Sequence, residues 1–384
     1  MDTVNIIGGG IGGLTLANAL HCAGIDFNLF EQATQLTEVG AAIGISKAAL
    51  NILDTLDLAE RVKNSGSVIQ YIHFADKNLN IIRAISAEWP GVIIHRAKLM
   101  DILASGLPQK KIHLNRKLAH LKSEPGFSTL QFSDGFEMKS ACTVIADGIQ
   151  SIARNQLFPE IKVRYAHQTI WRGITTMPLP QQYSHTYTEI WDNSKRFLFA
   201  PMDTKNICWL AVKNAPVGEK DNPDTVRQDL LKEYDSFHPL LKELLSKSSN
   251  FIRNDLADLG SQKRRWYHNK IVFLGDAIHA TTPNLAQGGC QAMEDAFCLS
   301  YLMKKHKGDF SEIFQTYQNL RDEKVSFVVN TSWQFGKMTH SRLLSYLIKY
   351  VFRYAPNSFF IKLEKKLNDL SYLTLGSGLE RTSK

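Results

Sequence analysis

The chain of 384 residues has only five cysteines: Cys22, Cys142, Cys208, Cys290 and Cys298. Their number is odd and no two form a Cys-x-x-Cys pair, which argues against a disulfide framework and a cysteine-based metal site. Reduced thiols in a cytoplasmic protein are the plain reading. No run of about 18 apolar residues is present, so no membrane-spanning helix is expected. Met1-Asp2-Thr3 lacks the basic start of a signal peptide, and glycines break the apolar stretch after it. The net charge of +8 comes without a basic-aromatic motif, so nucleic acid is not an expected partner. That charge is uneven, with nine Lys or Arg against three Asp or Glu in residues 337–384. A solvated basic helical face accounts for it; contact with an anionic membrane surface or partner is the sharper alternative. A composition of 44% hydrophobic and 21% charged residues suits a globular enzyme. The length calls for one large α/β domain with a further domain inserted or appended.

Glycine is where the chain becomes informative. Val4, Ile6 and Ile7 suit a short buried strand, and Gly8-x-Gly10-x-x-Gly13 comes directly after it. Leu14, Leu16, Ala17, Ala19 and Leu20 continue as a helix to about Gly24; residues 26–30 read as a second strand ending on Glu31. This βαβ context is what a dinucleotide fingerprint requires. Gly8 permits the tight turn, Gly10 admits a pyrophosphate, and Gly13 lets helix and strand pack closely. The helix N-terminus offers N–H groups and a positive dipole end to phosphate. Glu31 can accept from an adenosine ribose and would repel a 2′-phosphate, which points to FAD or NAD.

Two later segments share this grammar. Residues 141–146 read as a strand running into Asp147-Gly148, for which the bland alternative is an ordinary Asp-Gly turn. Residues 270–274 read as a strand capped by Gly275-Asp276, followed by Pro283 and by Gln287-Gly288-Gly289 at a helix start. Asp276 is placed to bond a polyol. Gly288 and Gly289 let backbone N–H groups approach a planar ring and favour negative charge on it. Met293, Ala296, Phe297 and Leu299 give that helix its apolar pattern, and Glu294 and Asp295 are expected to be solvated or capping. Two glycine loops at opposite ends of the chain suggest one extended cofactor held at both ends.

Together, these three motifs resemble the single-component, FAD-dependent aromatic hydroxylases of the para-hydroxybenzoate hydroxylase type. The similarity spans about residues 1–335. It is strongest to the branch holding salicylate-type hydroxylases, FAD-dependent urate hydroxylase and zeaxanthin epoxidase, as Gly40-Ala41-Ala42-Ile43 and residues 288–296 show. The resemblance implies an α/β fold: a Rossmann-like FAD-binding domain (1–70, 91–165, 270–335), an interleaved antiparallel-sheet substrate domain (71–90, 166–269) and C-terminal helices (336–384). It implies that Gly8, Gly10, Gly13 and Glu31 hold the ADP half, that Arg96 contacts the cofactor, and that Asp147 serves FAD and nicotinamide. Asp276 would bind ribityl or pyrophosphate oxygens, Pro283 would lie by the ring, and Gly288 and Gly289 at its pyrimidine edge.

The implied reaction consumes NADH or NADPH, a transient co-substrate, and O₂, and hydroxylates or epoxidises an electron-rich small molecule through a flavin C4a-hydroperoxide. It needs no metal. Ser46-Lys47 departs from the family's usual Pro-Asn, and Ala286 stands where glycine is commoner. Arg196 matches a catalytic arginine of the urate hydroxylase, but Cys208 replaces that enzyme's active-site tyrosine, which speaks against urate. Arg196 and Arg172 are candidates to hold an anionic or enolic substrate, and a solvated strand arginine is the competing reading for each. Trp171, Phe199 and Trp209 read equally as pocket or core. His279 reads as a supporting loop residue. A helix is expected over 225–248. Leu343, Leu344, Leu347, Ile348, Val351 and Phe352 would form one apolar face packed on the body, with Lys349 and Arg353 off it.

Other readings stay open. The chain could be a flavin reductase, oxidase or halogenase on the same fold, although no Trp-x-Trp halogenase motif is present. A non-enzymatic flavin-binding protein has no positive support. A monomer or homodimer is expected.

Overall fold

The computed structural model describes residues 2–36, 40–192, 194–306 and 310–374. Its first sheet comprises β1 (Val4–Ile7), β2 (Phe27–Phe30), β6 (Ile112–His113), β10 (Cys142–Ile145), β16 (Tyr267–His268) and β17 (Ile271–Phe273). Their order is β16-β17-β10-β1-β2-β6, parallel except for β16. The strands expected over 4–7, 26–30, 141–146 and 270–274 all form, trimmed by a residue or two. β1, β10 and β17 are buried throughout and β2 at all but Asn28, which is why apolar residues dominate each rather than alternate with polar ones. Ile7 pairs with Ile145, and Ile145 with Phe273, so register makes three strands end at one level. The chain therefore leaves this edge at Gly8, Asp147 and Gly275 side by side, at the carboxyl ends where parallel sheets bind ligands.

The second sheet has eight strands: β3 (Ala42–Ile45), β4 (Gly66–Ala75), β5 (Ile81–His95), β11 (Arg164–Thr176), β12 (Thr186–Asp192), β13 (Lys195–Pro201), β14 (Asn206–Asn214) and β15 (Ile252–Asp258). Their order is β15-β11-β14-β13-β12-β4-β5-β3, antiparallel except where β4 meets β12. Strands from before and after the first 160 residues thus share one sheet. A third sheet joins β7 (Leu118–Ser123), β8 (Ser128–Phe132) and β9 (Glu137–Ser140).

Eight helices bear on the site: α1 (Ile11–Cys22), α2 (Arg96–Ala104), α3 (Val226–Glu233), α4 (Pro239–Lys247), α5 (Gly288–Lys305), α6 (Phe310–His340), α7 (Arg342–Tyr354) and α8 (Asn357–Asn368). The single helix expected over 225–248 is two. Pro239 cannot continue an upstream helix, and the His238 ring restarts it by accepting from Leu240 N–H at 3.2 Å. Helix α6 runs unbroken across residue 336, and the break comes at Ser341, whose side chain caps α7.

Strand alternation sorts the eight-stranded sheet. Trp171, Phe197, Phe199 and Trp209 point to α3 and α4 and form a core with Tyr234 and Leu241. Trp171, Phe199 and Trp209 are therefore packing residues. The opposite face carries Tyr187, Glu189, Arg196, Ala200 and Cys208.

Two expectations about charge and packing need correction. Glu294 and Asp295 are neither solvated nor capping: both are fully buried on the inner side of α5. Helix α7 does not bury its six-residue apolar face. Ile348 is buried and Phe352 packs inward, but Leu347 is 53% exposed, with Leu344 and Val351 also exposed. The Leu343 side chain lies outside the described residues. Lys349 lies mostly covered, 3.9 Å from Asp192, and Arg353 is exposed.

Candidate active site

Both glycine loops reach the same place. A Cβ at Gly12 would lie 3.2 Å from Ala292 Cβ on α5, and one at Gly289 would lie 3.5 Å from Ile11 Cδ1 on α1. Helices α1 and α5 thus touch near their N-termini, and neither is capped by a side chain. Gly8 has φ +108, and a Cβ there would strike Ala146 O at 2.3 Å. A Cβ at Gly13 would sit 1.9 Å from Gly8 O. No other residue fits either position, which leaves bare backbone along the floor of this edge.

Three carboxylates border that floor. Glu31 accepts from Gly9 N–H at 2.6 Å and from Ala33 N–H at 2.8 Å, so it shapes the loop. A carboxylate has about four acceptor sites, so capacity remains for ribose hydroxyls. Asp147 Oδ2 accepts from Ile152 N–H at 3.1 Å, while its Oδ1 is buried with no hydrogen-bond partner among the described residues. Burial pushes the Asp147 carboxyl up, against the pull of Ser151 and Ile152. A buried acceptor of this kind calls for a hydroxyl or amide donor from a ligand. Asp276 begins the turn after Gly275, which has φ +59, and a Cβ on Gly288 would lie 3.8 Å from its Oδ1. Arg96 starts α2 and packs its side chain against Gly40, whose Cβ would be 3.2 Å from Arg96 Cδ. Pro283 opens a short turn in which Ala286 is left-handed at φ 52, explaining why glycine would be at home there. The cradle, the open acceptor and the two uncapped helices fit FAD lying from Glu31 to Gly289.

Behind this floor is a closed charge cluster. Arg321 of α6 donates to Asp295 at 2.8 Å and to Glu294 at 2.7 Å, and Lys324 donates to Glu294 at 2.8 Å. Asp295 also accepts from Gly275 N–H at 2.9 Å and lies 2.5 Å from His279 Nε2. Burial alone would push the Asp295 carboxyl up, but His279 and Arg321 outweigh it and hold it at about 2. His279 is thus a supporting residue: it reaches the Gly275-Asp276 turn through Asp295. Tyr372 closes the cluster with a 2.8 Å bond to Glu294.

Above the floor the eight-stranded sheet presents a second buried pair. Arg196 is 5% exposed and Glu189 2%. Arg196 Nε donates to Glu189 Oε1 at 2.8 Å, and Nη1 to Asn284 Oδ1 at 2.6 Å. Glu189 further accepts from Trp191 Nε1 at 2.7 Å and from the Tyr187 hydroxyl at 3.1 Å. The Phe335 ring lies 5.1 Å from the guanidinium. Asn284 is itself fixed, donating to Thr282 Oγ1 and Ser332 O at 3.0 Å each. Beside the pair is an apolar cluster of Ile69, Ile93, Ala200, Met202 and Cys208, which Ala42 and Tyr187 adjoin. Ile43, next to Ala42, touches Gly289. Cys208 is buried, its thiol pushed up to about 12, and it bonds only weakly to Ala200 O at 3.5 Å. Arg172 stands apart at the sheet margin, donating to Asn254 at 2.5 Å.

Nothing in the linear sequence singled out Glu189, Asn284 or Tyr187. The one available signal was the hairpin β12–β13, in which Arg196 faces Trp191 and Glu189 lies two positions along the same face.

A protein-family profile described as FAD binding domain matches residues 1–332. The chain is similar to aurachin C monooxygenase/isomerase of Stigmatella aurantiaca, with 34% identity over 345 residues, covering 88% of this chain and 89% of that protein. It is similar to 2-heptyl-3-hydroxy-4(1H)-quinolone synthase of Pseudomonas aeruginosa, with 28% identity over 347 residues and the same shares. Among solved structures, Klebsiella pneumoniae HpxO complexed with FAD and uric acid superposes with a TM-score of 0.88 at 22% identity, covering 98% of each chain. That likeness is one of fold.

Proposed function

The chain belongs to the FAD binding domain family and is an FAD-dependent monooxygenase; from that premise we propose that it hydroxylates a neutral, lipophilic nitrogen heterocycle of the 2-alkyl-4-quinolone class. The observation that carries this reading is the buried pair of Glu189 and Arg196. A carboxylate already neutralises the guanidinium placed over the floor. An anionic substrate would put a second negative charge beside Glu189 in a dry site, at a cost of several kcal/mol. A neutral carbonyl has no such conflict and can accept from Arg196, whose guanidinium carries five N–H donors. The apolar residues beside the pair suit an alkyl chain. The relative in Pseudomonas aeruginosa, named for a product with a heptyl group and a ring hydroxyl, supports the same class.

Bound FAD, reduced by NADH or NADPH, supplies the O₂ chemistry, placing one oxygen atom on an electron-rich carbon while the other leaves as water. The chain's residues do the rest. Glu31 and the Gly8–Gly13 loop would hold the adenosine and pyrophosphate, Asp147 and Asp276 would take polyol hydroxyls, and the Gly288-Gly289 amides would supply N–H groups to the ring. Arg196, oriented by Glu189 and Asn284, binds the substrate carbonyl. Tyr187, Ala200 and Met202 exclude water. Free cysteines and the need for NAD(P)H support a cytoplasmic setting.

The test is NAD(P)H and O₂ consumption by the purified holoenzyme with 2-heptyl-4(1H)-quinolone, followed by product mass. Consumption accelerated by the quinolone, with one oxygen atom gained, is expected. Acceleration by urate or salicylate and none by the quinolone would overturn the proposal.

A further inference from the structure

We propose that the outward face of α7 docks on the surface of an anionic phospholipid bilayer. Tyr346, Tyr350 and Tyr354 recur at four-residue spacing and are 67%, 65% and 65% exposed. Leu347 lies among them at 53%, and Phe359 at the start of α8 adds 50%. The Tyr350 and Tyr354 rings pack against each other at a tilt of 50°, with centroids 4.6 Å apart. The inner face of the same helix is fully engaged: Ile348 is buried, and Phe352 packs 4.8 Å from both Phe74 and Trp191. The outward row is therefore surplus to folding.

Its chemistry selects the occupant. Tyrosine combines an apolar ring with a hydroxyl, the amphipathy that suits the headgroup boundary. The two C-terminal helices that carry the row also expose cations, Arg353 on α7 and Lys362 and Lys365 on α8, against Glu364 and Asp369. An anionic surface complements that rim. A second copy of the chain would not, because a twofold interface sets the same cations against themselves. Among the described residues no helix is long and apolar enough to cross a membrane, so the contact is with the surface. The position has a purpose if the substrate is lipophilic, and to that extent alone it rests on the function proposed above. Phe352 touches Trp191, and Trp191 donates to Glu189, so one aromatic layer separates the docked helix from the Arg196 pair.

The test is flotation of the full-length, FAD-loaded enzyme, without substrate, on vesicles of phosphatidylcholine with or without phosphatidylglycerol. The wild type is expected to float with phosphatidylglycerol vesicles and at least about tenfold less without them. Leu347→Ser/Tyr350→Ser and Arg353→Glu/Lys362→Glu are each expected to lose about tenfold while keeping flavin content and thermal stability. Equal flotation on both vesicles, or no loss in either variant, overturns the proposal. So does a wild-type dimer that Leu347→Ser/Tyr350→Ser dissociates with no vesicle binding, which would assign the face to a second copy. Because no substrate is present, failure of the quinolone reading leaves this result unaffected.

Discussion

Two buried charge clusters lie on opposite sides of the site, and they are built differently. Behind the floor, Glu294 and Asp295 share Arg321, Lys324, His279, Tyr372 and a backbone amide. Their partners come from α6, the Gly275–His279 turn and Tyr372 beyond α8, and the two acids and Arg321 are fully buried. Over the floor, Arg196 has one carboxylate and one amide, and both partners are held by other groups. The first cluster is closed and serves to hold the helix that carries Gly288 and Gly289. The second neutralises a cation without using all its donors, as a site for a neutral polar group requires. Burying ion pairs is costly in both places, so their retention has to be explained by position or specificity.

Mutation should separate the two. Arg321→Met removes the one cation shared by two buried carboxylates and is expected to cost about 3–5 kcal/mol in chemical denaturation, with loss of bound FAD. An unchanged unfolding midpoint would mean that the rear cluster supports nothing. The same cluster sets an acid limit. The Asp295 carboxyl is held at about 2 when folded, below an unfolded value of about 3.9. A depressed folded value contributes stability that is complete above about pH 4 and is lost as pH falls through about 2. Stability curves that stay flat between pH 5 and pH 2 would contradict this.

Glu189→Gln should act on selectivity instead. It keeps shape and hydrogen bonding but leaves Arg196 unneutralised. Quinolone turnover should fall roughly tenfold while salicylate binding, followed by flavin absorbance, improves. If stability drops as in Arg321→Met and selectivity does not move, the two clusters are alike and the comparison fails. Asp276→Ala is expected to lower the FAD-to-protein ratio after gel filtration about tenfold, with the fold intact by circular dichroism. Full flavin retention would remove Asp276 from the cofactor site. The smallest effect is expected at Ala286→Gly. Relief of the left-handed backbone at φ 52 is partly offset by a freer unfolded chain, leaving a gain below about 1 kcal/mol.

The contrast also explains what could be read in advance. The proposed cofactor side is made of backbone: glycines at Gly8, Gly13 and Gly275, strand ends, and acids just beyond them. Close approach and positive φ restrict those positions to one residue type, so they appear as motifs. The α/β class and the positions of the parallel strands followed from them; their order in the sheet came only with the structure. The proposed substrate side is made of side chains brought together by sheet pairing. Glu189 and Arg196 look like ordinary strand residues until β12 and β13 are in register, and Asn284 joins them only through the folded loop. Glu294 and Asp295 were misread because a helical acid reads as solvated unless its buried cation, 26 or 27 residues away in Arg321, is known. Helix α7 is apolar on two faces, and periodicity alone cannot say which one the body covers.

Substrate charge is the most direct test. Paired assays of the wild-type holoenzyme on 2-heptyl-4(1H)-quinolone and on an anionic aromatic such as salicylate would compare kcat/KM for oxygenated product. A quinolone advantage of at least about a hundredfold is expected from a buried Glu189 that repels the anion. An equal or reversed preference would contradict the neutral-substrate assignment.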